Sequence, residues 1–220
     1  MTRLVDIVLS VLFLILVSPL WLIVIPALRF TGEGEVFYRQ PRVGKDGKLF
    51  NLLKFATMLK DSPNLGTGML TVHNDPRVLP LGRLLRKTKI NELPQLINVL
   101  KGDMSIIGPR PQAQPHFDVF PAHVREKLIT VRPGLSGIGS IVFRDEERIL
   151  ARSKIDQARC YSGIIAPYKG QVELWYIKRQ NFKSYMLLIL LTLWIIPFPN
   201  SQIYFRLFPD LPRPPVELEL

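Results

Sequence analysis

KTKINELPQLINVLKGDMSIIGPRP, residues 87–111, is the stretch on which the fold turns, because capping signals, an amphipathic repeat and charged turns stand together in it. Asn91 is a good N-cap residue and Pro94 falls in the first turn, where a missing N–H costs little. Leu93, Leu96, Ile97 and Leu100 recur at i, i+3, i+4 and i+7, which predicts a short helix with one apolar face. Lys101 in the last turn and Gly102 just past it are the expected stop. Glu92 is then placed at the first helical position, where free amides favour a carboxylate, or an anion that a metal bridges to it. Beyond the helix, Gly108-Pro109-Arg110-Pro111 reads as a stiff turn presenting one guanidinium, the side chain best suited to gripping phosphate bidentately. On the other side Arg83, Arg86, Lys87 and Lys89 form a basic run feeding into the helix, a fair site for a diphosphate.

The 220 residues suffice for one domain with a sizeable core. A formal net charge of +11 points to polyanionic partners, and 47 % hydrophobic residues make nucleic acid the weakest of these, after anionic lipid and phosphorylated substrates. Cys160, the single cysteine, excludes an internal disulfide framework. The histidines, His73, His116 and His123, are too scattered to read as metal ligands, and the chain has neither a P-loop nor a serine elbow.

Residues 7–28 form an uncharged apolar run of about 22 residues, which at ~1.5 Å each just crosses a bilayer core. A spanning helix is the plain reading. Ser18-Pro19 near its middle, with Arg3 and Arg29 on the two flanks, also suits a broken helix that dips in and returns to the same face. Residues 36–55 predict a basic hairpin turning at Asp46-Gly47, with most of its lysines and arginines facing solvent or lipid headgroups. Residues 61–80 read as a loop, 122–129 and 144–158 as helical, and 131–139 as a glycine-rich loop able to fold close to a ligand. Residues 185–196 are apolar but too short to span, so they are buried or interfacial. The proline-rich tail from Asp210 is expected to be loosely ordered.

In the same order of parts, and over nearly its whole length, the chain resembles the bacterial sugar transferases of the monotopic phosphoglycosyl transferase family, small form. The resemblance rests on the apolar run with Ser18-Pro19, the hairpin ending Lys54-Phe55-Ala56-Thr57-Met58, the core NELPQLINVLKGDMSIIGPRP and the loop VRPGLSG. It implies an α+β membrane-associated fold, with a re-entrant broken helix (1–30), a small β-hairpin and interfacial helices on one compact catalytic domain (31–200), and a tail (201–220). It further implies transfer of a phosphosugar from a UDP-sugar to polyprenol (undecaprenyl) phosphate with release of UMP. That is the first membrane step of bacterial glycan assembly, on the cytoplasmic face of the inner membrane. UDP-sugar, polyprenol phosphate and membrane lipid are the implied partners, without nucleic acid and with room for a homodimer; the implied cofactor is Mg2+.

Family members use an Asp-Glu pair, and Asn91 stands where the nucleophilic Asp belongs. Ala56 replaces a frequently basic residue, and residues 140–143 depart from the usual polar ones. The resemblance carries over Glu92 as metal ligand, Asn91 and Glu92 as the catalytic positions, and Arg86, Arg110 and Arg144 as contacts to the substrate's phosphates and nucleotide. Two classes follow: an active transferase in which Glu92 carries the chemistry, or a catalytically impaired membrane-bound homologue serving as a binding or assembly partner.

Overall fold

The structure is a computed structural model that describes residues 2–66, 75–144, 146, 149–150 and 156–218. His73, part of the expected 61–80 loop and much of the expected 144–158 helix lie outside the described residues. The architecture mixes helix and sheet, as the sequence implies.

Helix α1 (Thr2–Phe30) is 29 residues long, with Pro19 and Pro26 inside it. The expected break at Ser18-Pro19 does not interrupt it. Pro19 has no N–H to give the Ile15 carbonyl, and the Ser18 hydroxyl donates to that carbonyl instead, at 2.8 Å. Both ends of α1 rest on the rest of the chain. Near the N-terminus, Arg3 donates to the Val99 and Leu100 carbonyls at 2.6 and 2.8 Å. Asp6, 2 % exposed, accepts from the Ile106 N–H at 2.8 Å, the Ser105 hydroxyl at 3.0 Å and the Tyr185 hydroxyl. Near the C-terminus, Val24 and Leu28 pack with Phe55 and Leu85, and Trp21 meets Phe55 edge-on at 5.4 Å. Between these anchors α1 leaves Leu12, Ile15, Leu16, Leu22 and Ile23 exposed.

Strands β1 (Phe37–Val43) and β2 (Leu49–Phe55) form the expected hairpin, in register from Phe37 opposite Phe55 to Val43 opposite Leu49. Asp46 and Gly47, at φ 58° and 72°, supply the left-handed turn. Helix α2 (Pro80–Lys87) carries the basic run, and a 3-10 turn (Ile90–Glu92) leads to α3 (Gln95–Lys101), which stops at Gly102 with φ 93°. The buried face of α3 is wider than the apolar repeat suggested: Gln95 and Asn98 are buried beside Leu96 and Val99. Asn98 accounts for this, because its amide takes the Leu53 N–H at 2.9 Å and gives to the Asn51 carbonyl at 2.8 Å, satisfying the edge of β2.

After α3 come β3 (Ser105–Ile107), α4 (Gln114–Asp118), α5 (Ala122–Leu128), β4 (Gly134–Ser136) and α6 (Ile138–Val142). Strands β3 and β4 pair in parallel. The glycine-rich loop folds close to the backbone of the GPRP turn, and Leu135, Ser136 and Gly139 line the cavity described below. A Cβ on Gly134 would lie 2.1 Å from the Gly108 nitrogen, and one on Gly137 would lie 2.2 Å from the Gly108 oxygen. These glycines therefore lock the loop against the GPRP turn.

The core is closed by α7 (Gln157–Cys160), a π-helical turn (Tyr161–Ile165), α8 (Ala166–Lys178), α9 (Phe182–Ile195) and α10 (Tyr204–Leu207). Helix α9 is capped by Asn181, which accepts the Ser184 N–H at 2.9 Å, and it has one buried and one exposed apolar face. Tyr185, Leu188 and Leu191 face the core, while Leu190, Leu193 and Trp194 are exposed. The tail is packed, contrary to the expectation of looseness. Trp175 donates to Asp210 at 2.9 Å, Arg179 pairs with the same carboxylate, Tyr168 donates to the Pro212 carbonyl, and Leu211 and Leu218 are buried.

Candidate functional site

A cavity of about 1330 Å³ opens between α1, the hairpin, the segment 86–110, α6 and α9. Arg86, Asn91, Glu92, Arg110 and Arg144, the five residues singled out in the sequence, all line it. One stretch of wall is apolar, built from Phe13 and Val17 of α1 and Ile189, Leu193 and Ile196 of and after α9; another is cationic.

Local structure differs from the sequence reading at Asn91. Lys89 takes a left-handed conformation (φ 60°) and starts the 3-10 turn, while α3 begins only after Pro94 and has no side-chain cap. Asn91 is therefore not an N-cap. It is buried inside the 3-10 turn, and among the described residues its Oδ1 has no hydrogen-bond partner. Glu92 ends that turn rather than opening a helix, so a side chain and not helix amides supports its charge. Arg110 donates to Glu92 Oε1 at 3.1 Å. Burial pushes the Glu92 carboxyl up, but Arg110, Lys54 and Lys89 outweigh it and hold the group at about 2. Glu92 is thus ionised throughout the physiological range. Arg110 is raised in turn, by Glu92 first of all.

Arg86 lies beside the Met58 sulfur at 3.9 Å, and Arg144 donates to the Ile195 carbonyl. Four further groups belong to this region and were missed in the sequence. Most basic residues of the hairpin are expected to face solvent or headgroups, yet Lys54 and Arg42 line the cavity, on the face of the hairpin where Lys54 sits opposite Tyr38. Burial drags Lys54 down to about 7, with Arg110, Arg42 and Arg86 pressing the same way against the pull of Glu92. Arg42 gives to the Gln40 side chain at 2.6 Å and to the Pro111 carbonyl at 3.3 Å, leaving its Nε unpartnered. Lys169 and Glu173, one turn apart on α8, are 2 % and 3 % exposed. Glu173 Oε1 accepts the Arg110 N–H at 3.3 Å, and its Oε2 has no partner. Burial lifts Glu173 to about 7. The signal was present in the alternation of Leu52 with Lys54 and in the two charges at i, i+4 on a helix otherwise rich in apolar and aromatic residues.

Comparison with known proteins decides the family. The sequence profile described as bacterial sugar transferase matches residues 1–198. The chain belongs to the bacterial sugar transferase family. Among its relatives, the exopolysaccharide production protein ExoY of Sinorhizobium fredii is 34 % identical over 165 residues, covering 69 % of this chain and 73 % of the relative. The UDP-glucose:undecaprenyl-phosphate glucose-1-phosphate transferase of Klebsiella pneumoniae is 40 % identical over 141 residues, 63 % of this chain and 30 % of the relative. An Aeromonas hydrophila relative, named as a UDP-N-acetylgalactosamine-undecaprenyl-phosphate N-acetylgalactosaminephosphotransferase, is 39 % identical over 139 residues, 62 % of this chain and 33 % of the relative. The chain thus spans most of the first transferase relative and about a third of the other two.

The Glu173 carboxyl provides a test of the site's electrostatics. Its proton is held to about pH 7 in the fold and to about 4.5 when unperturbed. Its stabilising contribution is therefore complete below about pH 4.5 and lost as pH rises through 7. Glu173→Gln should leave stability near pH 4.5 little changed, yet gain about 3 kcal/mol on the parent by pH 8. Chemical denaturation in detergent across that range checks this; parallel profiles for parent and variant would place Glu173 in contact with water.

Proposed function

We propose that the chain transfers a sugar phosphate from a UDP-sugar to polyprenyl phosphate, releasing UMP, at the cytoplasmic face of a bacterial membrane. The observation that carries this reading is the composite cavity. A cationic wall of Arg42, Lys54, Arg86 and Arg110 around an ionised Glu92 continues into an apolar wall shared by α1 and α9, whose outer sides are also apolar. An aqueous diphosphate and a lipid-borne phosphate can meet only at such a junction. The names of the relatives, which act on UDP-sugars and undecaprenyl phosphate, support the same chemistry.

The transfer forms one P–O bond to the sugar-bearing phosphorus and breaks the bridging P–O bond, whose electron pair leaves on UMP. Arg86 and Arg110 bracket the place where that charge moves, and Arg110 offers its fork in a turn stiffened by two prolines. Glu92 needs no base to act, being already ionised. For magnesium, the available donors are the Glu92 carboxylate and the unpartnered Asn91 Oδ1. A sparse oxygen set of this kind suits an ion that keeps several waters and takes its other ligands from substrate phosphates. There it would neutralise diphosphate charge.

Helix α1 is the one described helix long and apolar enough to cross a membrane. Laid straight, its residues cover about 43 Å, yet both ends are held by the rest of the chain, Arg3 and Asp6 by α3, β3 and α9, and Val24 and Leu28 by β2 and α2. In our reading α1 enters and leaves on one face. Cysteines placed at Thr2 and Thr31 should label with the same sidedness in sealed inverted vesicles, whereas opposite sidedness would establish a spanning helix.

The neutral Asn91 makes Glu92 the acid on which turnover depends. Magnesium-dependent release of UMP should be seen for the parent and lost in Glu92→Gln, while Asn91→Ala retains it, with intact mass reporting any phosphosugar adduct. An inert parent rescued by Asn91→Asp would mean that this chain is the impaired homologue.

A further inference from the structure

Beside the phosphate-binding wall, the cavity carries a second polar feature that the transfer chemistry leaves unused. Lys169, 2 % exposed, donates to Glu146 Oε2 at 2.7 Å, and both residues line the cavity. Lys169 Nζ also lies 5.5 Å from the centre of the Phe143 ring, which supplies an apolar floor. A pair of this kind is a poor source of stability, because desolvation of two charges roughly cancels their attraction. Among the described residues Nζ makes one hydrogen bond, although an ammonium can donate three. Among the described residues, Glu146 Oε1 has no hydrogen bond and can accept one. The pair therefore presents a donor and an acceptor side by side to the cavity.

The partner chemistry is narrowed by what stands around it. A lone phosphate would meet the Glu146 carboxylate, and an isoprenoid chain has nothing to offer either charge. Two adjacent hydroxyls do match, one accepting from Lys169 and one donating to Glu146, with the ring's apolar face over Phe143. The location also fits, because the Glu146 charge is close enough to raise Arg110. A diol carried on the diphosphate that Arg110 holds would fall within reach.

We propose that the Lys169–Glu146 pair is a subsite for a vicinal diol of the nucleotide sugar. This rests on the reading of the cavity as a UDP-sugar site. The ribose and the transferred sugar both carry such a diol, and ligands lacking one or the other separate them.

The test is calorimetric titration of UDP, 2′,3′-dideoxy-UDP and UDP-glucose into the parent and into the double variant Lys169→Met with Glu146→Gln. Removing both charges avoids stranding one of them, and the thermal midpoint checks the fold; if the pair of changes unfolds the chain, Glu146→Gln alone takes its place. A parent that binds none of the three would remove the underlying UDP-sugar reading, whatever the variant does. If the ribose is held, the variant should lose about 10-fold or more in UDP affinity and nothing for the dideoxy compound. If the transferred sugar is held, UDP should be unaffected and UDP-glucose should lose that factor. Equal losses for all three would show that the pair reads the uracil or the charge instead, and unchanged affinities would show that it only packs; either overturns the proposal.

Discussion

Arg110 is bonded at both ends, and the site depends on that. Its guanidinium gives to Glu92 at 3.1 Å, while its backbone N–H gives to Glu173 at 3.3 Å. One residue thereby ties three separate segments together: the 3-10 turn, the GPRP turn and the core helix α8. The prolines on either side and the close backbone packing of Gly108 against Gly134 and Gly137 remove the freedom the turn would otherwise have. Without the guanidinium, Glu92 would be a half-buried carboxylate with burial pushing it toward neutrality. With it, the carboxylate is held ionised in a wall that is otherwise positive.

The second constraint is the seating of α1. Helix α1 leaves Leu12, Ile15, Leu16, Leu22 and Ile23 exposed, an apolar face of the kind a bilayer covers. What holds it is polar at one end and aromatic at the other. Asp6 takes three donors in a buried pocket, an arrangement that would be costly if any partner were lost. Trp21 and Phe55 close the far end. The middle of α1 then forms a cavity wall through Phe13 and Val17, so the long apolar helix also bounds the candidate site.

Much of this was legible in the sequence where local rules decide the outcome. The hairpin turn at Asp46-Gly47, the Gly102 stop and the α5 helix follow from backbone preferences that the structure leaves intact. Asn91 misled because N-cap preference competes with the chain's need to bury that residue in a 3-10 turn. Lys54 departs from expectation because a charge on a hairpin is ordinarily solvated, whereas this one is half-buried on a strand that packs against the 3-10 turn. For Glu173 and Lys169 the i, i+4 charges on an apolar helix were the one local signal, because their partners, Arg110 and Glu146, are distant in sequence and come together only through the fold. The tail was read as loose from its prolines, whereas Asp210 and Leu211 find partners on α8 and in the core.

The proposed function brings a lipid-borne phosphate and a nucleotide sugar together in one cavity. The most direct test is photo-crosslinking with a polyprenyl phosphate carrying a diazirine on its first isoprene unit, in nanodiscs, with adducts located by peptide mass spectrometry. Adducts on Phe13 or Val17 of α1 and on Ile189, Leu193 or Ile196 are expected, together with competition by a polyprenyl phosphate lacking the diazirine. Adducts confined to the outer apolar side of α1, indifferent to that competitor, would contradict a lipid phosphate entering the cavity.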